Sequence, residues 1–241
     1  HARRGADKTG HRDAGHHHCL GAEQRNALGD GAGDGLGEAV GIFAAQALGL
    51  KIGADVSTDQ NQLDFSAAVL KAKQSSGDVL FAYTNEEESA RLLRELRKQG
   101  YAKPVVGDTT IINQKTIELA GEAANGVVGH VALTADAPQP EVKAFVAKFE
   151  RDFKYRPDHN GLQGYMTPYI IKAVTEKVGK VDRKALAAAL KGATLLVKDQ
   201  PGLLLDVRFD DKGDPDRVSY LVEIRNGKQV VTNTLAPAKP F

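Results

Sequence analysis

The chain has 241 residues, of which 41% are hydrophobic and 26% charged, with a net charge of +1. That balance excludes wholesale disorder, and the lack of a basic excess excludes a nucleic-acid binder. No apolar run approaches the roughly 20 residues that span a bilayer, and a single cysteine, Cys19, excludes an intrachain disulfide.

Residues 1–37 read differently from the rest. They hold five of the seven histidines and nine of the 25 glycines, and show no apolar period at either 2.0 or 3.6 residues. The expectation is an aberrant or disordered segment without a core of its own. It fits a tail, the product of a shifted reading frame, or a ligand cluster of His16, His17, His18 and Cys19. Consecutive ligands do not readily close a tetrahedral site, and no second pair follows at finger-like spacing, so no metal and no cofactor is expected. No basic-then-apolar leader pattern opens the chain.

Regular elements begin at Glu38. Residues 37–48 predict a helix stopped by Gly49, and residues 50–56 a strand. Asp64 predicts a cap for a helix over 65–74, with Phe65, Ala68, Val69 and Ala72 on its apolar face. The run DVLFAY, 78–83, suits a buried parallel strand. Residues 86–99 predict the best helix of the chain, with Glu86, Glu87 and Glu88 at its positive end and Arg94, Arg97 and Lys98 near its negative end. Ala90, Leu93 and Leu96 form its inward stripe, and Gly100 its stop. A strand over 104–107, a short helix over 114–120 and a strand over 126–133 follow. Alternation over 38–133 predicts βαβ crossovers, hence an α/β fold with a doubly wound parallel sheet. Over 134–241 the rhythm changes to helices at 141–154, 161–178 and 183–191. Strands at 203–209, 218–225 and 228–232 close the chain, the last two joined by Asn226-Gly227, a hairpin signal.

No catalytic constellation emerges. There is no GxSxG elbow, HExxH pair or Walker loop. The run Glu86-Glu87-Glu88 is explained by the helix dipole rather than by acid–base chemistry.

Several words in order carry a resemblance: DFSAAVLKAK (64–73), DVLFAYTNEEESARLLRELRKQG (78–100), PVVGDTT (104–110), LAGEAANGVVGH (119–130), DHNGLQGY (158–165) and FDDKGDPDRVSYLVEIRNGK (209–228). Over about 38–235 the chain resembles the branched-chain amino-acid binding proteins, periplasmic receptors of ABC importers with the type I periplasmic-binding-protein fold. The resemblance implies two α/β lobes sharing three hinge crossovers, with a small ligand trapped between them. The matched part corresponds to most of the second lobe and a return toward the first. The first half of such a protein has no counterpart here, and the strand opening the second lobe is expected to be absent or garbled.

Open α/β sheets place ligands beyond the carboxyl ends of their strands. The candidates after the strand DVLFAY are Tyr83, Thr84, Asn85 and Glu86; a helix cap is the competing reading for Thr84 or Asn85. Asn85 stands where the resemblance implies a ligand contact and where an aromatic can occur. After PVVG come Asp108 and Thr109, and the resemblance implies that an acidic residue at 108 takes the ammonium of a bound amino acid. His159 and Asn160 precede a helix containing Tyr165; a loop histidine, a cap and a core ring are their competing readings.

The resemblance thus implies an extracytoplasmic solute-binding receptor, monomeric and not an enzyme. Its ligand is a small amino acid or related small carboxylate, and its partner the membrane permease of an ABC importer. Two alternatives stand beside it. A ligand-sensing regulator on the same lobes needs an attached output element. A doubly wound enzyme needs a nucleophile or cofactor fingerprint.

Overall fold

The computed structural model describes residues 17–22, 45–47, 49–59 and 61–238, the first stretch as backbone alone. The chain separates into two compact units, His1–Lys103 and Pro104–Phe241.

In the first unit the strands β1 (His17–Ala22), β2 (Ile52–Thr58) and β3 (Val79–Tyr83) form the order β2-β1-β3. Strand β1 runs antiparallel to both neighbours, with Cys19 opposite Val56 on one side and Ala82 on the other. β2 and β3 therefore point the same way, as a crossover through the intervening helix requires. This strand lies inside the segment expected to be without structure. HHCLGA offers no alternation of apolar and polar residues, so nothing in it signals a strand. The expected helix over 37–48 falls mostly outside the described residues. Its end is seen: Ala45 to Ala47 are helical, and Gly49 N–H and Leu50 N–H return to Gln46 O and Ala45 O at 3.0 and 2.8 Å.

Helix α1 (Ser66–Gln74) follows Asp64, whose Oδ1 accepts the Ser66 N–H at 2.8 Å. Phe65, Ala68, Val69 and Ala72 are buried, the face expected from their spacing. Lys71 Nζ donates to Asp55 O at 2.7 Å and ties the helix to β2. Helix α2 (Glu86–Lys98) buries Ala90, Leu92, Leu93 and Leu96 almost completely. Each of those leucines contributes about 2 kcal/mol relative to exposure. Gly100 at φ 67° ends it, with Tyr101 N–H reaching back to Leu96 O at 2.8 Å; the left-handed turn is where a residue without Cβ is strain-free.

In the second unit β4 (Val105–Gly107) pairs in parallel with β5 (Val128–Val131). β5 pairs antiparallel with β9 (Ser219–Arg225), and β9 with β10 (Lys228–Leu235), giving the order β4-β5-β9-β10. Helix α3 (Gln114–Ala120) connects β4 to β5, followed by a 3-10 turn at Gly121–Ala124. The helices α4 (Pro140–Phe153), α5 (His159–Val178) and α6 (Arg183–Leu190) then come in succession, as the changed rhythm predicts.

A second small sheet, absent from the sequence reading, takes the order β6 (Thr194–Leu195), β7 (Val207–Phe209), β8 (Pro215–Asp216). An Arg208–Asp216 ion pair joins its last two strands. The strand expected over 203–209 shrinks to β7, because Leu203, Leu204 and Leu205 are buried as a loop instead. Asp210 Oδ1 closes the polar turn that follows, accepting the N–H groups of Lys212, Gly213 and Asp214 at 2.8–2.9 Å.

At the β9–β10 hairpin Asn226 and Gly227 take φ 50° and 73°, the paired positive values of a two-residue turn matched to strand twist. Gln229, just past the turn, bridges two loops: its Nε2 donates to Ile112 O at 2.5 Å and its Oε1 accepts from Thr134 Oγ1 at 2.7 Å.

Candidate functional site

In the first unit the predicted positions after β3 divide. Tyr83 ends the strand with 38% of its surface exposed. Thr84 is buried, and its hydroxyl shares a 2.7 Å hydrogen bond with Ser89 Oγ, which also lies 3.2 Å from Thr84 O. That pair fixes the first turn of α2 from inside. Asn85 occupies the cap position in extended backbone without a side-chain capping bond, and it is exposed. Glu86 is half-buried at the first helical position, and Glu88 faces inward, accepting the Asn61 N–H at 2.7 Å.

In the second unit Asp108 leaves the carboxyl end of β4 half-buried. Thr110 supplies both contacts to its Oδ1, the hydroxyl at 2.6 Å and the N–H at 3.1 Å. Burial pushes the Asp108 carboxyl above its ordinary range, and the hydrogen bonds from Thr110 and the Ile111 N–H only partly oppose this. Its hydrogen-bond partners among the described residues are neutral donors. Thr109 Oγ1 donates to His130 O at 3.0 Å and pins the loop to β5. Gly129, opposite Gly107 in the β4–β5 pair, admits Ile112: a Cβ on it would lie 2.7 Å from two Ile112 carbons. Asn113 caps α3, its side chain accepting the Lys115 N–H at 2.9 Å.

The positions near 160 settle differently from the reading of their types. Asp158, not Asn160, caps α5, its Oδ1 accepting the Gly161 N–H at 2.8 Å. Asn160 lies inside the first turn and is exposed. His159 lines a polar cavity of about 390 Å³ together with Gln114, Asp136, Arg156 and Lys228. Arg156 bridges Asp136 and Glu150 there at 2.7 and 2.9 Å. Asp108 and Asn160 do not line this cavity. Tyr165 packs in tilted contacts against Phe145 at 4.4 Å between ring centres and against Tyr169 at 5.2 Å, and it joins the wall of an aromatic groove between α4 and α5.

The sequence reading passed over Arg217. It sits in a polar turn, where a cation ordinarily reads as a solvated face. In the structure it is half-buried and donates to Gln163 Oε1 at 3.2 Å. Among the described residues there is no group of His, Cys, Asp and Glu arranged to hold a metal, and no helix long and apolar enough to cross a membrane. The cluster His16–Cys19 lies outside the described side chains.

Comparison with known proteins gives a consistent picture. A family model described as periplasmic binding protein matches residues 30–229. The "Leu/Ile/Val-binding protein homolog 1" of Brucella abortus is 25% identical over 159 residues, covering 66% of this chain and 41% of that protein. The chain thus spans less than half the length of the curated relatives it matches. Among solved structures, a leucine-binding protein from Thermotoga maritima aligns with a TM-score of 0.66 at 20% identity, over 75% of this chain and 51% of that one. A solute-binding protein of an ABC transporter from R. palustris, in complex with 4-hydroxybenzoate, aligns with a TM-score of 0.73 at 18% identity, over 91% and 62%. A branched-chain amino acid transporter substrate-binding protein from Streptococcus pneumoniae, in complex with isoleucine, gives 0.61 at 20% identity, over 76% and 51%. At these identities the structures speak for the fold, which agrees with the α/β expectation.

Proposed function

Because the chain belongs to the periplasmic binding protein family, we propose that it forms the greater part of one lobe of an extracytoplasmic solute receptor for an ABC importer. Its ligand is a small amino acid or a related small carboxylate. Asp108 takes the amine where the ligand has one. Binding, hinge closure and docking on a membrane permease form the cycle, with no chemistry performed on the solute.

The observation that carries this reading is Asp108 itself. It stands at the carboxyl edge of β4, where open α/β sheets receive ligands, half-buried and held by a neutral hydroxyl and an N–H. A carboxylate in that state gains from a desolvated ammonium through a charge-assisted hydrogen bond. Relatives named for leucine, isoleucine and valine, and fold neighbours holding isoleucine or 4-hydroxybenzoate, support the same ligand range. Thr109 lines the approach in this reading. The receptor works as a monomer in the periplasm.

A calorimetric screen of the chain against leucine, isoleucine, benzoate and 4-hydroxybenzoate tests the class, with glucose and AMP as controls. Heat from at least one of the acids, with none from the controls, is the expected result. Binding of a control alone, or of nothing in the panel up to 10 mM (about the weak end of small-ligand affinity), overturns it.

A further inference from the structure

The second unit has two half-buried arginines whose surroundings differ. Arg208 is ion-paired with Asp216. Arg217 meets no carboxylate among the described residues; its hydrogen-bond partner is the side-chain oxygen of Gln163. A guanidinium carries five N–H donors in a fixed fork and does not give up its proton in proteins. Burial works against the charge of Arg217, lowering its pKa from the usual value; the neighbouring Tyr220 hydroxyl opposes this, and no carboxylate among the described residues does.

Gln163 adds to the imbalance. Its Oε1 faces the guanidinium, as it must beside a group that only donates, so its amide nitrogen contributes two further donors. No acceptor among the described residues meets that nitrogen. Arg217 and Gln163 together make a patch rich in donors and poor in acceptors, with charge left over. Tyr220, buried beside them, sends its hydroxyl to Gln139 Oε1 at 2.7 Å.

Topology puts this patch at a telling place. β4 and β5 are parallel, with Gly107 opposite Gly129. β9 runs antiparallel to β5, with Tyr220 opposite Val131. The residues leading into β9 therefore lie at the same sheet edge as the residues leaving β4. Asp108 and Arg217 belong to one edge, the carboxyl edge of the parallel pair.

Resting on the solute-receptor reading, we infer that Arg217, with the amide of Gln163, is the carboxylate anchor of this edge. It takes the carboxylate of a small organic acid or amino acid, and Asp108 takes the amine of the latter. The planar fork matches a carboxylate through two parallel bonds, which fixes the orientation of a ligand as well as holding it. An amino acid uses both charged groups. An acid without an amine uses Arg217 and meets Asp108 as a neutral or repelling neighbour.

The test follows the Arg217 side-chain Nε–H resonance in nitrogen-labelled chain, assigned by its loss in Arg217→Lys. Probes are leucine, 4-methylpentanoate, benzoate, benzamide and inorganic phosphate. Leucine and benzoate are expected to move that resonance along a saturating curve, and benzamide to leave it in place. By calorimetry Arg217→Met is expected to weaken carboxylate probes by about tenfold or more, Arg217→Lys by less, and Gln163→Leu least. Folding of each variant is checked by its thermal transition, and Arg217→Lys keeps the charge where Arg217→Met fails to fold. An unmoved resonance while leucine or benzoate binds with heat overturns the anchor and leaves the receptor reading intact. Loss of all binding heat in the unmodified chain overturns both. A response to phosphate equal to that for benzoate makes this a general anion site and overturns the carboxylate assignment.

Discussion

Two connections in this molecule look alike on paper. β3 leads through Thr84 and Asn85 into α2, and β4 leads through Asp108 to Asn113 into α3. Each leaves a short apolar strand at its carboxyl end and enters a helix. The first is closed on itself: Thr84 and Ser89 share a buried hydrogen bond, and Glu88 turns inward to accept the Asn61 N–H. The second delegates capping to Asn113 and leaves Asp108 half-buried, with the hydroxyl and N–H of Thr110 on its Oδ1. A strand end is thus only an opportunity for ligand binding. What differs is the group left at that end: a hydroxyl bonded to a hydroxyl in the first, a carboxylate held by neutral donors in the second.

The sharpest way to break this contrast is Asp108→Asn, which keeps the shape and removes the charge. Removing one partner of a buried charge pair costs about 2–5 kcal/mol, so leucine affinity should fall roughly 30-fold to several thousand-fold. Affinity for 4-methylpentanoate, which lacks the amine, should be unchanged or improved. Calorimetric titration of both ligands against both proteins gives the coupling directly, and a coupling near zero with the fold intact removes Asp108 as the amine partner.

The helix starts offer a second handle. Asn113→Ala deletes the acceptor for Lys115 N–H and should cost about 1 kcal/mol, within the range for lost caps. Asn85→Ala, which loses no capping bond to its helix, should cost less than Asn113→Ala. Denaturant midpoints of the two variants check the order; equal losses would erase the distinction between the connections.

Thr84→Val tests the closed connection. It removes a buried hydroxyl partner of Ser89 and should cost about 0.5–1.5 kcal/mol. Leucine affinity should stay within about twofold, since less than 0.4 kcal/mol is then at stake. A large loss of affinity at full stability would move Thr84 into the ligand site.

The smallest effect concerns pH. The Asp108 carboxyl titrates above its ordinary range in the folded chain. Between the unfolded and folded pKa values the native state binds more protons than the unfolded one, so this group favours folding below the unfolded value. That contribution is lost as pH rises through the folded value. Asp108→Asn should therefore gain stability relative to the parent at neutral pH, and the gain should vanish in acid. Thermal transitions of both proteins across that range show the trend, and a gain that grew toward low pH would contradict it.

How much of this was legible beforehand depends on the reach of each signal. Local signals worked. Gly100, the stripe of Ala90, Leu93 and Leu96, and the Asn226-Gly227 turn each act within a few residues, and the elements fell where their spacing placed them. Features decided by distant partners were not legible. The strands at Thr194–Leu195 and Pro215–Asp216 are too short for a period and exist by pairing with β7. The antiparallel strand at His17–Ala22 has no pattern of its own. Asn160 and Asp158 are both good caps by type, and only helix phase chooses between them. Asp108 could be placed at a strand end, but not its dependence on Thr110. Arg217 became visible only once β9 was known to start at the edge that β4 leaves.

The hairpin tip carries one more implication. Gln229 is the second residue beyond the Asn226-Gly227 turn, and it holds Ile112 and Thr134 together. Strand side chains alternate between faces, so inserting or deleting one residue at the tip turns Gln229 to the opposite face. Two loops, one leaving β4 and one leaving β5, would then lose their common strut at once. The tip lies at the far end of β9 from Arg217, yet it acts as the reading frame of this unit: a miscount of one residue there is translated into misplacement of the loop that follows Asp108.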